Sequence, residues 1–130
     1  MIIGVGVDLV EISRVRTMIA GQGERALKRL FTEAERQYCG GMANPARHYA
    51  VRVAAKEAAF KALSGTDEAR AIGWREIEIS LEKDGRPTLT LHGRAAVRAA
   101  ELGANRFWVS MTHDAGSAHA TVLLEGKSRS

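Results

Sequence analysis

The chain has 130 residues, 45% of them hydrophobic and 26% charged, the composition of one soluble domain with a real core. No apolar run approaches the roughly 20 residues that span a bilayer, and the single cysteine, Cys39, excludes an internal disulfide and a cysteine-based zinc site. The net charge of +4 and the pI of about 9.6 favour an acidic partner, whether nucleic acid, an anionic cofactor or an acidic protein.

Ile2 to Val10 alternates as a strand, with Ile3, Val5, Val7 and Leu9 on one face and Gly4, Gly6 and Asp8 on the other. Glycines on a strand face permit close approach by another backbone or a ligand, so Asp8 is a carboxylate on a bare face. Its ordinary role is a strand-end aspartate before a turn. The same segment has no basic n-region, and its glycines and Asp8 spoil it as a signal peptide; a cytoplasmic location is expected. Ser13 is a candidate N-cap for a helix over Arg14 to Ala20, which Gly21 and Gly23 interrupt before a second amphipathic stretch, Glu24 to Phe31. Thr32 and Glu35 match a capping box for a short helix to Cys39, stopped by Gly40-Gly41.

The run from Val51 to Ser64 holds strong helix formers and no breaker; Asn44-Pro45 supplies a start, with Asn44 as N-cap and Pro45 at the first helical position, and Ser64-Gly65 a stop, with Gly65 free to take the left-handed cap. Ala50, Val53, Ala54, Glu57 and Lys61 share one face, and alanines fill much of the rest, as in a buried helix. Glu57 and Lys61 are then charges on a face expected to be packed; the ordinary reading is an exposed i,i+4 pair contributing about 0.2–0.5 kcal/mol. Thr66 to Ile72 reads as a loop. Trp74 to Glu82 and Pro87 to His92 form a hairpin about Asp84-Gly85. Gly93 to Leu102 is a helix closed by Gly103. Phe107 to His113 and Ala118 to Leu124 are strands joined by Asp114-Ala115-Gly116, and the tail from Gly126 to Ser130 is expected to fray. Hairpins with helices grouped between them predict a single α+β domain, its largely antiparallel sheet packed around a central buried helix.

No phosphate-binding glycine motif, H-E-x-x-H or nucleophile elbow is present in the sequence. What remains is Asp8 on its bare strand face and Glu57 on the central helix. Two carboxylates suit Mg²⁺, which is usually held by one or two of them plus waters and substrate phosphates. Lys61, one turn beyond Glu57, could face the same phosphates. Arg47, His48, Arg52 and Lys56 suit either a phosphorylated ligand or a solvated helix face. A metal-dependent nuclease or phosphatase could use the same carboxylates, but such enzymes commonly need a second metal and more acidic ligands. A nucleic-acid-binding module would cluster Lys and Arg with aromatics; here aromatics are 5% and the basic residues are dispersed.

Four stretches resemble the holo-[acyl-carrier-protein] synthase family, the small single-domain branch of the 4′-phosphopantetheinyl transferases. They are Gly6-Val7-Asp8-Leu9-Val10-Glu11-Ile12; Phe31-Thr32-Glu33 with Glu35; Arg52-Val53-Ala54-Ala55-Lys56-Glu57-Ala58 with Lys61-Ala62; and Val109-Ser110-Met111-Thr112-His113. Val53 stands where the family often has an aromatic, and Asp114 where it usually has a small or hydroxyl residue; both leave the metal positions intact. The resemblance implies a transferase-like fold. It implies transfer of 4′-phosphopantetheine from coenzyme A to a serine of apo acyl carrier protein, with adenosine 3′,5′-bisphosphate as the other product. Asp8 and Glu57 would be Mg²⁺ ligands. Lys61 would neutralise the leaving phosphate, and Glu57, directly or through water, would take the serine proton. Arg47, Arg52, Lys61 and His113 would contact the coenzyme. Arg14 and Met18, four apart on the first helix, would dock the acidic carrier, with Arg16, Arg25, Lys28 and Arg29 extending the surface. The branch implies a homotrimer with active sites between subunits, acting without nucleic acid or membrane.

Overall fold

The computed structural model describes residues 1–127. In chain order the elements are β1 (Ile2–Glu11), α1 (Ile12–Leu30), α2 (Glu33–Gly40), α3 (Pro45–Leu63), α4 (Asp67–Arg70), a 3-10 turn (Trp74–Glu76), β2 (Ile77–Leu81), β3 (Pro87–Leu91), α5 (Gly93–Leu102), β4 (Ala104–Asp114) and β5 (Ser117–Gly126). The expected antiparallel arrangement is present as two sheets: β1-β5-β4, and the separate hairpin β2-β3. Helix α3 lies between them, against β1 and β5 on one side and α1, α2 and β2 on others.

β1 approaches α3 through its glycines. Gly6 is buried, and a methyl on it would overlap the Ala58 carbonyl oxygen; a methyl on Gly4 would lie 2.7 Å from the Ala62 carbonyl oxygen. Ala54, Ala55, Ala58, Ala59 and Ala62 are all buried, so backbone packs against backbone. The other face of β1 is open. Val5, Val7 and Leu9 are 56%, 60% and 54% exposed, and Trp108 of β4 shares that open face.

The charges on α3 are arranged differently from the sequence reading. Glu57 is half-buried and the Lys61 side chain is 56% exposed, so that flank is only partly packed. Arg52 and Lys56, read as a solvated face or as ligands of a phosphate, are the buried ones. Lys56 Nζ donates to Glu35 Oε1 at 2.8 Å and to the Trp74 and Ile77 carbonyls at 2.9 and 2.7 Å, using all three protons. Glu35 Oε1 also accepts from the Thr32 amide and Oε2 from the Ile79 amide, each at 2.9 Å. A buried ion pair is tolerable only when its remaining polar atoms are satisfied in this way. The predicted capping box at Thr32 and Glu35 is present and is part of this network.

Helix boundaries differ where backbone demands outweigh capping preference. α1 begins at Ile12, directly from β1 with Glu11 in the N-cap position, and continues to Leu30. Gly21 does not break it; Gly23, at φ 55°, kinks it. Asn44 makes no side-chain cap, and Gly65, at φ 123°, lies outside the left-handed helical region, the end of α3 being closed through Ser64. The predicted loop after α3 contains α4, capped by the Thr66 hydroxyl. Gly126 does not fray: its amide and carbonyl both bond to Met1. Lys127 is exposed beyond the end of β5, and the remaining tail residues, 128–130, lie outside the described residues.

Gly6→Ala forces β1 away from α3 and is expected to destabilise the protein by about 1–3 kcal/mol in urea unfolding. A variant as stable as wild type would show that the glycine contact is not needed.

Candidate active site

Asp8 ends up beside Glu57 because the glycine face of β1 seats on α3. Lys61, one turn further along, donates to Asp8 Oδ1 at 2.9 Å and to the Val7 carbonyl at 3.0 Å. Glu57 neighbours Asp8, and its carboxyl is raised above the ordinary carboxylate range. Burial is the main cause, followed by the neighbouring Asp8 carboxyl, while Lys61 and Arg14 oppose the rise.

These carboxylates line a cavity of about 560 Å³ with Glu11, Arg14, Met18 and Trp74. Arg14 is exposed; Met18 is half-buried, packs on the core beneath α1 and still forms cavity wall. Arg29 also lines this cavity. A second cavity, about 840 Å³, lies at the end of α3 beside α4 and is lined by Phe60, Ser64, Gly65, Thr66, Ile72 and Trp74. Trp74 forms part of both, and its ring meets Phe60 edge-on at 5.1 Å.

Arg47, Arg52 and His113 are not part of the Asp8 group. Five residues along a helix put Arg52 about 140° around α3 from Glu57. Arg52 is 2% exposed, its guanidinium lies 4.7 Å from the Tyr38 ring centre, and its Nη1 donates to the His48 carbonyl. Arg47, Arg52 and His113 all bear electrostatically on His48, whose imidazole is pushed below its ordinary value, first by burial and then by these charges. The four form one basic cluster, in which the Nε atoms of Arg47 and Arg52 are buried without a hydrogen-bond partner. Lys56 is excluded from any ligand by its burial. Trp74 was missed as a wall residue because it reads as the start of a strand, and Arg29 because the direction of α1 after the Gly23 kink is not written in the local pattern.

No group of three or more His, Cys, Asp or Glu suited to a metal occurs among the described residues. The donor set is two neighbouring carboxylates, all oxygen, open to a cavity. That fits a hard divalent cation completing its shell with water and substrate oxygens, and does not fit zinc.

A half-buried carboxylate pair, a lysine one helical turn away and an arginine-lined cavity make up a site for handling anionic, phosphate-like groups. The chain belongs to the 4′-phosphopantetheinyl transferase superfamily, whose family model matches residues 4–122. Within it, the chain is 43% identical over 125 residues to the holo-[acyl-carrier-protein] synthase of Koribacter versatilis, covering 96% of this chain and 99% of that protein. The crystal structure of the Neisseria meningitidis synthase superposes with a TM-score of 0.84 at 27% identity, over 96% of this chain and 99% of that one. The Helicobacter pylori synthase, solved in complex with coenzyme A, superposes with a TM-score of 0.78 at 26% identity, over 93% and 99%. The chain is thus an enzyme of the phosphopantetheinyl transferase class.

Because its folded-state value is raised, Glu57 contributes stability that is present at low pH and lost as pH rises through that value. Asp8→Asn removes the like charge, so Glu57 is expected to titrate at lower pH, and the metal-free protein to lose less stability toward neutral pH. Carboxyl NMR titration checks this; an unchanged Glu57 titration would disprove the coupling.

Proposed function

We propose that the protein transfers 4′-phosphopantetheine from coenzyme A to a serine of apo acyl carrier protein, using Mg²⁺ held by Asp8 and Glu57. The observation that carries this reading is the Asp8–Glu57–Lys61 group at a cavity lined by Arg14 and Met18. The attacking serine oxygen bonds to the phosphorus bearing pantetheine, and the bond from that phosphorus to the bridging pyrophosphate oxygen breaks. Adenosine 3′,5′-bisphosphate leaves, and the serine proton passes to Glu57, directly or through a water. A carboxyl raised above its usual range is better matched to that proton than an ordinary one. Lys61 neutralises the leaving phosphate. When bound, the cation supplies offset for charge developing on the pyrophosphate oxygens.

Arg14 and Met18 dock the acidic carrier beside the carboxylates. The guanidinium pairs with its acidic side chains and the thioether adapts to an apolar patch. Arg47 and His113 contact the coenzyme phosphates, while Arg52, read from the sequence as a third contact, is buried against Tyr38 and backs them from inside the fold. Arg47 on α3 and His113 on β4 lie apart from the Asp8 group, which suits a homotrimer whose active sites lie between subunits, so that one copy's cluster serves the next copy's carboxylates. The open face of Val5, Val7, Leu9 and Trp108 is the apolar surface such an assembly would cover. This reading places the protein in the cytoplasm, among its soluble substrates. Among the described residues, no helix is long and apolar enough to cross a membrane.

The test is the mass of apo carrier after incubation with the protein, coenzyme A and Mg²⁺. Addition of phosphopantetheine is expected, with loss of roughly 10³-fold or more in turnover for Asp8→Ala and Glu57→Ala, and loss on chelation. Arg14→Glu should raise KM for the carrier far more than for coenzyme A, and added salt should shrink the wild-type advantage. Full activity of either alanine variant in EDTA would sink the reading. Light scattering should give a trimer at micromolar concentration and a monomer for Val7→Lys; a monomeric wild type would remove the assembly.

A further inference from the structure

We infer that Arg98 is a positioning residue for the coenzyme side of the site, holding the turn after α3 that forms one wall of the larger cavity. This rests on the reading of coenzyme A as substrate. The last carbonyls of a helix lack intrahelical partners, and the end of α3 carries the negative pole of its dipole. Arg98, from α5, answers both needs. Its Nε donates to the Leu63 carbonyl at 2.7 Å and its Nη2 to the Ser64 carbonyl at 2.9 Å. The side chain is 13% exposed, and Glu101 lies 3.6 Å from its Nη1.

The bonds run on to the site. Ser64 bonds back to the Lys61 carbonyl through its amide at 3.3 Å and its hydroxyl at 2.7 Å. Lys61 in turn holds Asp8 and the Val7 carbonyl. Arg98 therefore fixes Ser64, and Ser64 closes the turn that carries Lys61. Gly65 follows at φ 123°, and a methyl there would come within 3.1 Å of Arg98 Nη2. Only glycine combines that backbone angle with room for the guanidinium. Ser64, Gly65 and Thr66 face the cavity of about 840 Å³, which adjoins the carboxylate cavity at Trp74. A ligand too long for the carboxylate cavity that extends past Trp74 meets this wall. Arginine suits the task because a rigid fork can hold two successive carbonyls, which one ammonium does less well.

A latch that served stability alone would affect unfolding and nothing else. The experiment measures calorimetric binding of coenzyme A and of apo carrier separately, with melting temperature, for wild type, Arg98→Met, Arg98→Lys and Glu101→Gln. Arg98→Met is expected to weaken coenzyme A binding roughly tenfold and leave carrier binding unchanged. Arg98→Lys should recover part of the loss, and Glu101→Gln should match wild type. Amide exchange at residues 64–66 should quicken in the Met and Lys variants. If Arg98→Met does not fold, Arg98→Lys carries the test. A lower melting temperature with unchanged coenzyme A binding, or equal loss toward both ligands, would overturn the inference. Wild type that binds no coenzyme A would overturn it together with the proposed function. Wild type that binds coenzyme A but modifies no carrier would strike the proposed transfer alone.

Discussion

The contact between the glycine face of β1 and the alanine-rich flank of α3 is the constraint on which the rest depends. Side chains on either element would hold the two backbones apart, and removing them lets the strand settle on the helix. Asp8 is the first residue on that strand face with a polar side chain, two positions beyond Gly6. It is therefore delivered against α3 at Glu57, where burial and the Asp8 carboxyl together raise the Glu57 pKa. The alternation of a strand then obliges Val5, Val7 and Leu9 to point away. One packing decision thus creates both a carboxylate pair and an apolar surface that asks for cover.

A pair of like charges in a half-buried place is unfavourable by itself, so the scaffold must hold it. The fully satisfied pair of Lys56 and Glu35 supplies much of that rigidity. Lys56 precedes Glu57 and ties α3 to α2, to the 3-10 turn and to β2 at once. Burial by itself lowers the Lys56 pKa, while Glu35 and Glu78 oppose that shift. All three of the Lys56 hydrogen bonds run to oxygen acceptors, as an ammonium donor requires. Trp74, whose carbonyl is one of those acceptors, is also the wall shared by both cavities. The structural network and the site are therefore joined through a single residue.

How much could be read from the sequence follows from which patterns are local. The β1 alternation, the capping box at Thr32 and the Asp84-Gly85 hairpin are decided by near neighbours, and the structure has all three. Asp8 and Glu57 could be singled out because glycines and alanines leave them conspicuous. The orientation of α3 could not, since alanine on nearly every side erases the polar–apolar contrast that marks a buried face. Lys56 and Glu57 are adjacent, and only partners distant in sequence decide which is buried. The same holds for Arg52, whose place depends on Tyr38 of α2. At α1, the helix passes Gly21 and bends at Gly23, a choice made by packing rather than by glycine alone.

The division of α3 into flanks explains why one helix can carry so many functional groups without conflict. Glu57 and Lys61 turn to β1. Arg52 and Lys56 turn to α2 and the start of β2, and Phe60 and Ser64 turn to the cavity beside α4. Lys56 and Lys61 are five residues apart, yet one is sealed in a low-dielectric network and the other is more than half exposed. The buried lysine has all its protons committed and cannot serve a ligand. The exposed one holds Asp8 through a contact that solvent weakens and that an incoming phosphate can replace at small cost. Burial, more than residue type, therefore assigns one lysine to the fold and leaves the other available to the chemistry.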